Sequence, residues 1–173
     1  MKKTRIARPE YVSSDSLSTA REFDLPNREK GSPRLLIGRR EWISLPALGV
    51  SLINAKTDSG ALSSSLHAEK IVLNHNSSQV TFITRDHFQN PIECSSPVVR
   101  SARVRSSTGH GQPRIFIRTM AKLAGGFEWE ILLSLANRSV MHCPMLLGRR
   151  AMAGLFIIDP QSSNLLGNRR SFD

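Results

Sequence analysis

Asp58-Ser59-Gly60-Ala61 is the feature that most limits what this chain can fold into. An apolar stretch, residues 48–55, runs into it, and a run of small residues, 62–66, leaves it. The pattern reads as a strand that ends in a tight turn, with glycine supplying the backbone freedom the turn needs. A carboxylate set at such a strand end is a candidate catalytic group. The same tetrapeptide also serves as a plain strand-to-turn connection in many β-rich proteins, so its meaning depends on the rest of the chain.

The rest of the chain is β-patterned. Residues 35–38 and 42–45 read as the first strands. Residues 80–84 alternate like a half-buried strand, 86–91 form its turn, and 92–94 begin the return. Residues 98–106 alternate less cleanly, and 115–120 form another strand. Gly125-Gly126 marks a hairpin turn into a return strand at 129–135. Only residues 149–153 look helical, as a short turn after Gly148. A late strand at 155–158 stops at Asp159-Pro160. Many short strands separated by Gly, Pro and Asn predict an all-β fold, a closed or sandwiched barrel.

The 173 residues suit one domain. Residues 1–33 are polar, charged and without sustained apolar period, and are expected to be a disordered arm. The domain is expected over 34–168, with a tail at 169–173. The basic opening, Met1-Lys2-Lys3-Thr4-Arg5, is not followed by the apolar segment of a signal peptide, and no run is long enough to cross a membrane. Two cysteines, Cys94 and Cys143, make no disulfide framework, which points to a reducing, cytoplasmic setting. A net charge of +10 is compatible with acidic partners, although a solvated basic surface is the favoured account because the basic residues are scattered. The few aromatics are not interleaved with the basic residues, which argues against nucleic acid.

A second segment, Met145-Leu146-Leu147-Gly148-Arg149-Arg150, gives the Asp58 motif its context. An apolar-apolar-Gly-Arg segment late in a chain, after one Asp-Ser/Thr-Gly-Ala, resembles the retropepsins, the retroviral-type aspartic proteases. The chain is more similar still to a bacterial retropepsin-like family, long labelled "ATP-dependent zinc protease" and often encoded near ATP-grasp amino-acid ligases. The matching pieces are residues 55–61, Ser65-Leu66-His67-Ala68, residues 104–109, Asn137-Arg138, residues 144–149, Asp159-Pro160 and Leu165-Leu166-Gly167. Ser59 stands where threonine is usual and keeps the hydroxyl. Leu62 stands where arginine is expected and removes a charge.

The resemblance implies a closed retropepsin-like barrel and an aspartic endopeptidase. Such chemistry takes two neighbouring carboxylates sharing one proton, one ionised to activate water and the other protonated to polarise the scissile carbonyl. Asp15, Asp24, Asp86, Asp159 and Asp173 do not repeat the motif, so the second carboxylate must be Asp58 of a second copy across a two-fold axis. Ser59 would bond across that axis, Gly60 and Ala61 would shape the turn, and Leu147 and Gly148 would pack behind it. Arg149 would begin the short helix and pair with an acidic group at the dimer contact. The flap is placed at residues 105–114, with Ser107, Thr108, Gly109, His110 and Gly111 at its tip and glycine allowing it to move. Residues 71–99 would be a hairpin that retroviral enzymes lack.

The "zinc" label finds no ligand spacing among His67, His75, His87, His110 and His142, so no metal is expected. Gly109-His110-Gly111 lacks the lysine and helix of a phosphate loop, so no cofactor is expected. No Gly-x-Ser-x-Gly elbow is present. Two other readings stay open. One is a catalytically weak binding module that docks acidic peptides or an ATP-grasp ligase partner; the other is a zinc hydrolase.

Overall fold

The computed structural model describes residues 33–105 and 111–172. The flap-tip residues Ser107, Thr108, Gly109 and His110 and nearly all of the N-terminal arm therefore lie outside the described residues. Side chains alternate along β3 (Val50–Asp58) from Ile53 onward, with Ile53, Ala55 and Thr57 buried and Lys56 between them exposed. This two-residue period is what a strand with one face on a core requires.

β1 (Leu35–Gly38) pairs in parallel with the late strand β11 (Phe156–Asp159). β2 (Arg40–Leu45) pairs antiparallel with β3. Then follow β4 (Ser64–His67), β5 (Glu69–Leu73), β6 (Gln79–Arg85), β7 (Pro91–Arg105), β8 (Gly111–Leu123), β9 (Glu128–Ala136) and β10 (Met145–Gly148). The helical turn α1 (Arg149–Met152) comes directly after β10. The main sheet has nine strands in the order β2-β3-β10-β4-β9-β8-β7-β6-β5. A further pairing, Ile43 with Leu123 and Ser44 with Lys122, links β2 to β8. The fold is all-β and forms one domain, as the strand pattern predicts.

The β8–β9 hairpin turns at Gly125 and Gly126, whose φ angles of 80° and 88° favour glycine. Residues 71–99 do not form a hairpin alone. β5 and β6 pair with the first half of β7, and the second half of that same strand pairs with β8. One 15-residue strand thus carries the extension and one side of the β7–β8 hairpin. The core gathers Ile43, Ile53, Leu66, Ile117, Leu133 and Met145, all fully buried. At one side Phe127 and Trp129 each meet Phe156 edge to face, and the Trp129 indole N–H donates to Ala151 O at 3.0 Å, fixing α1. Arg169–Phe172 forms a short 3-10 turn, with Arg169 over the Phe88 ring.

Candidate active site

Asp58 is the last residue of β3, and the parallel register of β3 with β10 sets Gly148 beside it. Asp58 Oδ1 accepts the Gly60 N–H at 2.9 Å and the Ala61 N–H at 3.1 Å. The carboxyl group thereby closes its own turn, as Asp does in turns generally. Both bonds use Oδ1, so Oδ2 is not needed to hold the loop.

The loop is tied down from β10 and α1. Arg149 N–H donates to Ala61 O at 2.8 Å and Arg150 N–H to Leu62 O at 3.2 Å. The Arg149 guanidinium donates to Ser59 O at 2.9 Å and Gly60 O at 3.1 Å. Within the protomer its partners are thus loop carbonyls. Gly148 N–H donates to Ser64 Oγ at 3.1 Å. Behind the loop Thr57 Oγ1 donates to Gly38 O at 3.2 Å. Asp58, Ser59, Gly60, Ala61, Leu147, Gly148 and Arg149 therefore form one cluster, with Leu147 buried and Ser59 and Gly60 exposed. Gly111, the one described residue of the flap tip, opens β8 and pairs with Arg105.

Gly148 is required for a steric reason. A Cβ there would lie 2.5 Å from Ser63 C and 2.6 Å from its carbonyl oxygen. Backbone cannot yield as a flexible side chain can. Gly148→Ala is expected to destabilise the fold by roughly 1–3 kcal/mol, the usual range for overpacking. Urea unfolding checks this, and an unchanged midpoint would contradict the close approach.

Three groups near the site carry no obvious signal in the sequence. Glu41, only 1% exposed, accepts the N–H groups of Gly38 at 2.7 Å, Leu165 at 3.0 Å and Leu166 at 3.4 Å. It locks residues 162–166 over the β1–β2 junction, next to the Thr57 contact. Arg138 is half-buried on the segment between β9 and β10, where its guanidinium donates to Cys143 O at 3.4 Å. Burial and the nearby Arg114 lower its pKa, while Cys143 and Asp58 act the other way. Arg138 and Arg114 are thus within electrostatic reach of each other, and Arg138 of Asp58. Burial also lowers the pKa of Arg114, and its Nε has no hydrogen-bond partner among the described residues. A hydrogen-bonding signal for these arginines was available only in Asn137-Arg138 as a motif piece, without a role attached.

Other nucleophiles and ligands are placed differently. Burial pushes the Cys94 thiol up to about 11, which keeps it protonated at neutral pH. His67 is buried and bonded at both ring nitrogens. Among the described residues no three His, Cys, Asp or Glu converge as a metal would need, and no helix is long and apolar enough to cross a membrane.

A carboxylate closing its own strand-end turn, clamped by a Gly-Arg segment from a parallel strand, is the arrangement of a retropepsin-like site. The RimB-like family, described as retropepsin-like aspartic endopeptidase RimB, matches residues 36–168, and the chain belongs to it. It is 39% identical over 142 residues to a probable α-L-glutamate ligase of Parasynechococcus marenigrum, covering 79% of this chain and 30% of that protein. A probable α-L-glutamate ligase of Shewanella pealeana is likewise 39% identical over 142 residues, covering 79% of this chain and 31% of its own. The chain thus spans about a third of the length of these curated relatives. The crystal structure of a Legionella pneumophila protein of unknown function superposes with a TM-score of 0.65 at 23% identity, over 78% of this chain and 99% of that one. That likeness bears on the fold alone.

Proposed function

We propose that the chain is one half of a homodimeric aspartic endopeptidase. Asp58 from each of two copies would form the dyad and activate water for attack on a peptide bond. The observation that carries this reading is the Asp58 loop itself. It is fixed through Oδ1 and through bonds from Arg149, yet it stands at a surface where Ser59 and Gly60 are exposed. Leu62, 50% exposed beside the loop, offers apolar surface to a second copy. In this reading the six strands β2, β3, β10, β4, β9 and β8 close as a barrel through the β2–β8 pairing. The β7–β8 hairpin is its flap, with Ser107, Thr108, Gly109, His110 and Gly111 over the substrate. Residues 1–33 are an arm outside the peptidase domain, and the setting is cytoplasmic.

The substrate we infer is an extended acidic peptide. Arg114 holds a buried donor without a partner among the described residues, and Arg138 lies within electrostatic reach of Asp58. An unpaired buried donor is costly, and a substrate carboxylate would satisfy it. The names of the relatives support the same class, since a glutamate ligase makes glutamate-containing products. The test is incubation of purified protein with a peptide containing consecutive glutamates, read by mass spectrometry, beside sedimentation to measure assembly. Internal cleavage by a dimer is expected. A monomer at all concentrations, or tight binding of the peptide without cleavage, would favour a binding module instead.

A further inference from the structure

His67 lies on β4, 4% exposed, between the β5–β7 extension and the segment that carries Arg138. Its Nδ1 accepts the Arg138 backbone N–H at 2.9 Å. A ring nitrogen that accepts carries no proton, so in this geometry the imidazole is neutral with its proton on Nε2. Nε2 then donates to Glu69 Oε1 at 3.0 Å. Glu69 is held in turn by Arg85, at 3.3 Å through Nε and 3.4 Å through Nη2. The His67 backbone is equally constrained. Its N–H donates to Pro144 O at 2.7 Å, and its carbonyl accepts Thr84 Oγ1 at 2.8 Å. Contacts from β5, β6 and both ends of the 137–144 segment therefore meet at one residue, two of them at its imidazole.

We propose that His67 is a positioning residue for substrate recognition, acting through Arg138. The inference rests on the acidic-peptide reading above. The chain of contacts Arg85–Glu69–His67 fixes the imidazole, and the imidazole fixes the backbone that carries the Arg138 guanidinium. The guanidinium's own anchor, the 3.4 Å contact to Cys143 O, is long for a hydrogen bond. Backbone placement must therefore set where that charge sits. The β5–β7 extension is in this view a brace for the segment that carries Arg138.

Two near-isosteric substitutions separate the two ring nitrogens. Asparagine places its amide oxygen near the Nδ1 position and keeps an acceptor for Arg138 N–H. Glutamine reaches the Nε2 position, keeps a donor for Glu69, and leaves Arg138 N–H without its acceptor. The experiment compares wild type, His67→Asn and His67→Gln in the full chain by amide hydrogen exchange at Arg138 and by kinetics on a glutamate peptide and its glutamine analogue. His67→Gln is expected to exchange Arg138 N–H about tenfold faster and to raise KM for the glutamate peptide about tenfold, the loss of roughly one charged hydrogen bond. Its kcat and its KM for the glutamine analogue should change far less, and His67→Asn should stay near wild type in every readout. Equal slowing on both peptides would make His67 merely structural and overturn the proposal. So would equal Arg138 exchange in all three proteins. If wild type cleaves neither peptide, the peptidase reading fails separately. Equilibrium binding of the two peptides then replaces KM, and unchanged discrimination in His67→Gln overturns the positioning role.

Discussion

Asp58→Asn is expected to remove peptide cleavage while leaving the fold intact. One substitution replaces both carboxylates of the proposed dyad, because each copy contributes the same residue. Asparagine keeps an oxygen where Oδ1 accepts Gly60 N–H and Ala61 N–H, so the turn retains both of its bonds. The amide cannot take a proton from water. Loss of general-base help alone costs a factor of roughly 10²–10⁴, and loss of the shared proton deepens it. The measurement is cleavage of the glutamate peptide by both proteins from acid to neutral pH, with unfolding and sedimentation as controls. Equal cleavage by wild type and Asp58→Asn would remove Asp58 from the chemistry. It would then leave the loop as a structural corner only.

Glu41→Ala is expected to give the largest loss of stability of any substitution outside the apolar core. Its carboxyl group accepts three backbone donors from two segments far apart in sequence, and it is almost wholly buried. Alanine leaves those N–H groups without an acceptor and opens a gap between β1 and residues 162–166. Each buried donor left unpaired costs about 1–3 kcal/mol, so three sum to roughly 3–9 kcal/mol, a large share of a domain's usual margin. Urea denaturation measures the loss, and limited proteolysis should find residues 162–168 newly susceptible. Glu41→Gln, which keeps one acceptor oxygen, should fall between wild type and alanine. An unchanged midpoint in Glu41→Ala would mean that water replaces the carboxyl group at no cost.

The parts of the fold legible in the sequence are those governed by neighbours in the chain. Alternation revealed β6, an apolar stretch running into Asp58 revealed β3, and glycine pairs or Asp-Pro marked where strands turn or stop. The Asp58 loop and the Gly148-Arg149 segment were legible because turn chemistry and tight packing restrict residue type at each position. Glu41 was not, because a charged residue in a strand ordinarily faces water. Its burial is decided by residues about 124 positions later. His67 and Arg138 meet across 71 positions for the same reason. The bonds from Arg149 to the loop carbonyls were not legible, because carbonyl oxygens, which every residue owns, leave no trace in side-chain patterns. β7 was read as separate pieces because its outward positions change neighbours midway, from β6 to β8.

The parallel pairing of β3 with β10 has a consequence for synthesis. Arg149 clamps Ser59 from 90 positions further along the chain. At typical elongation rates those residues take roughly 5–20 s to appear. A nascent chain therefore carries the aspartate for many seconds before the residues that shape its loop exist, and a translation product that stops short of Met145 never acquires them. Any hydrolytic capacity is thus withheld from the ribosome-bound chain by topology alone, with no propeptide or inhibitor required to restrain it at that stage.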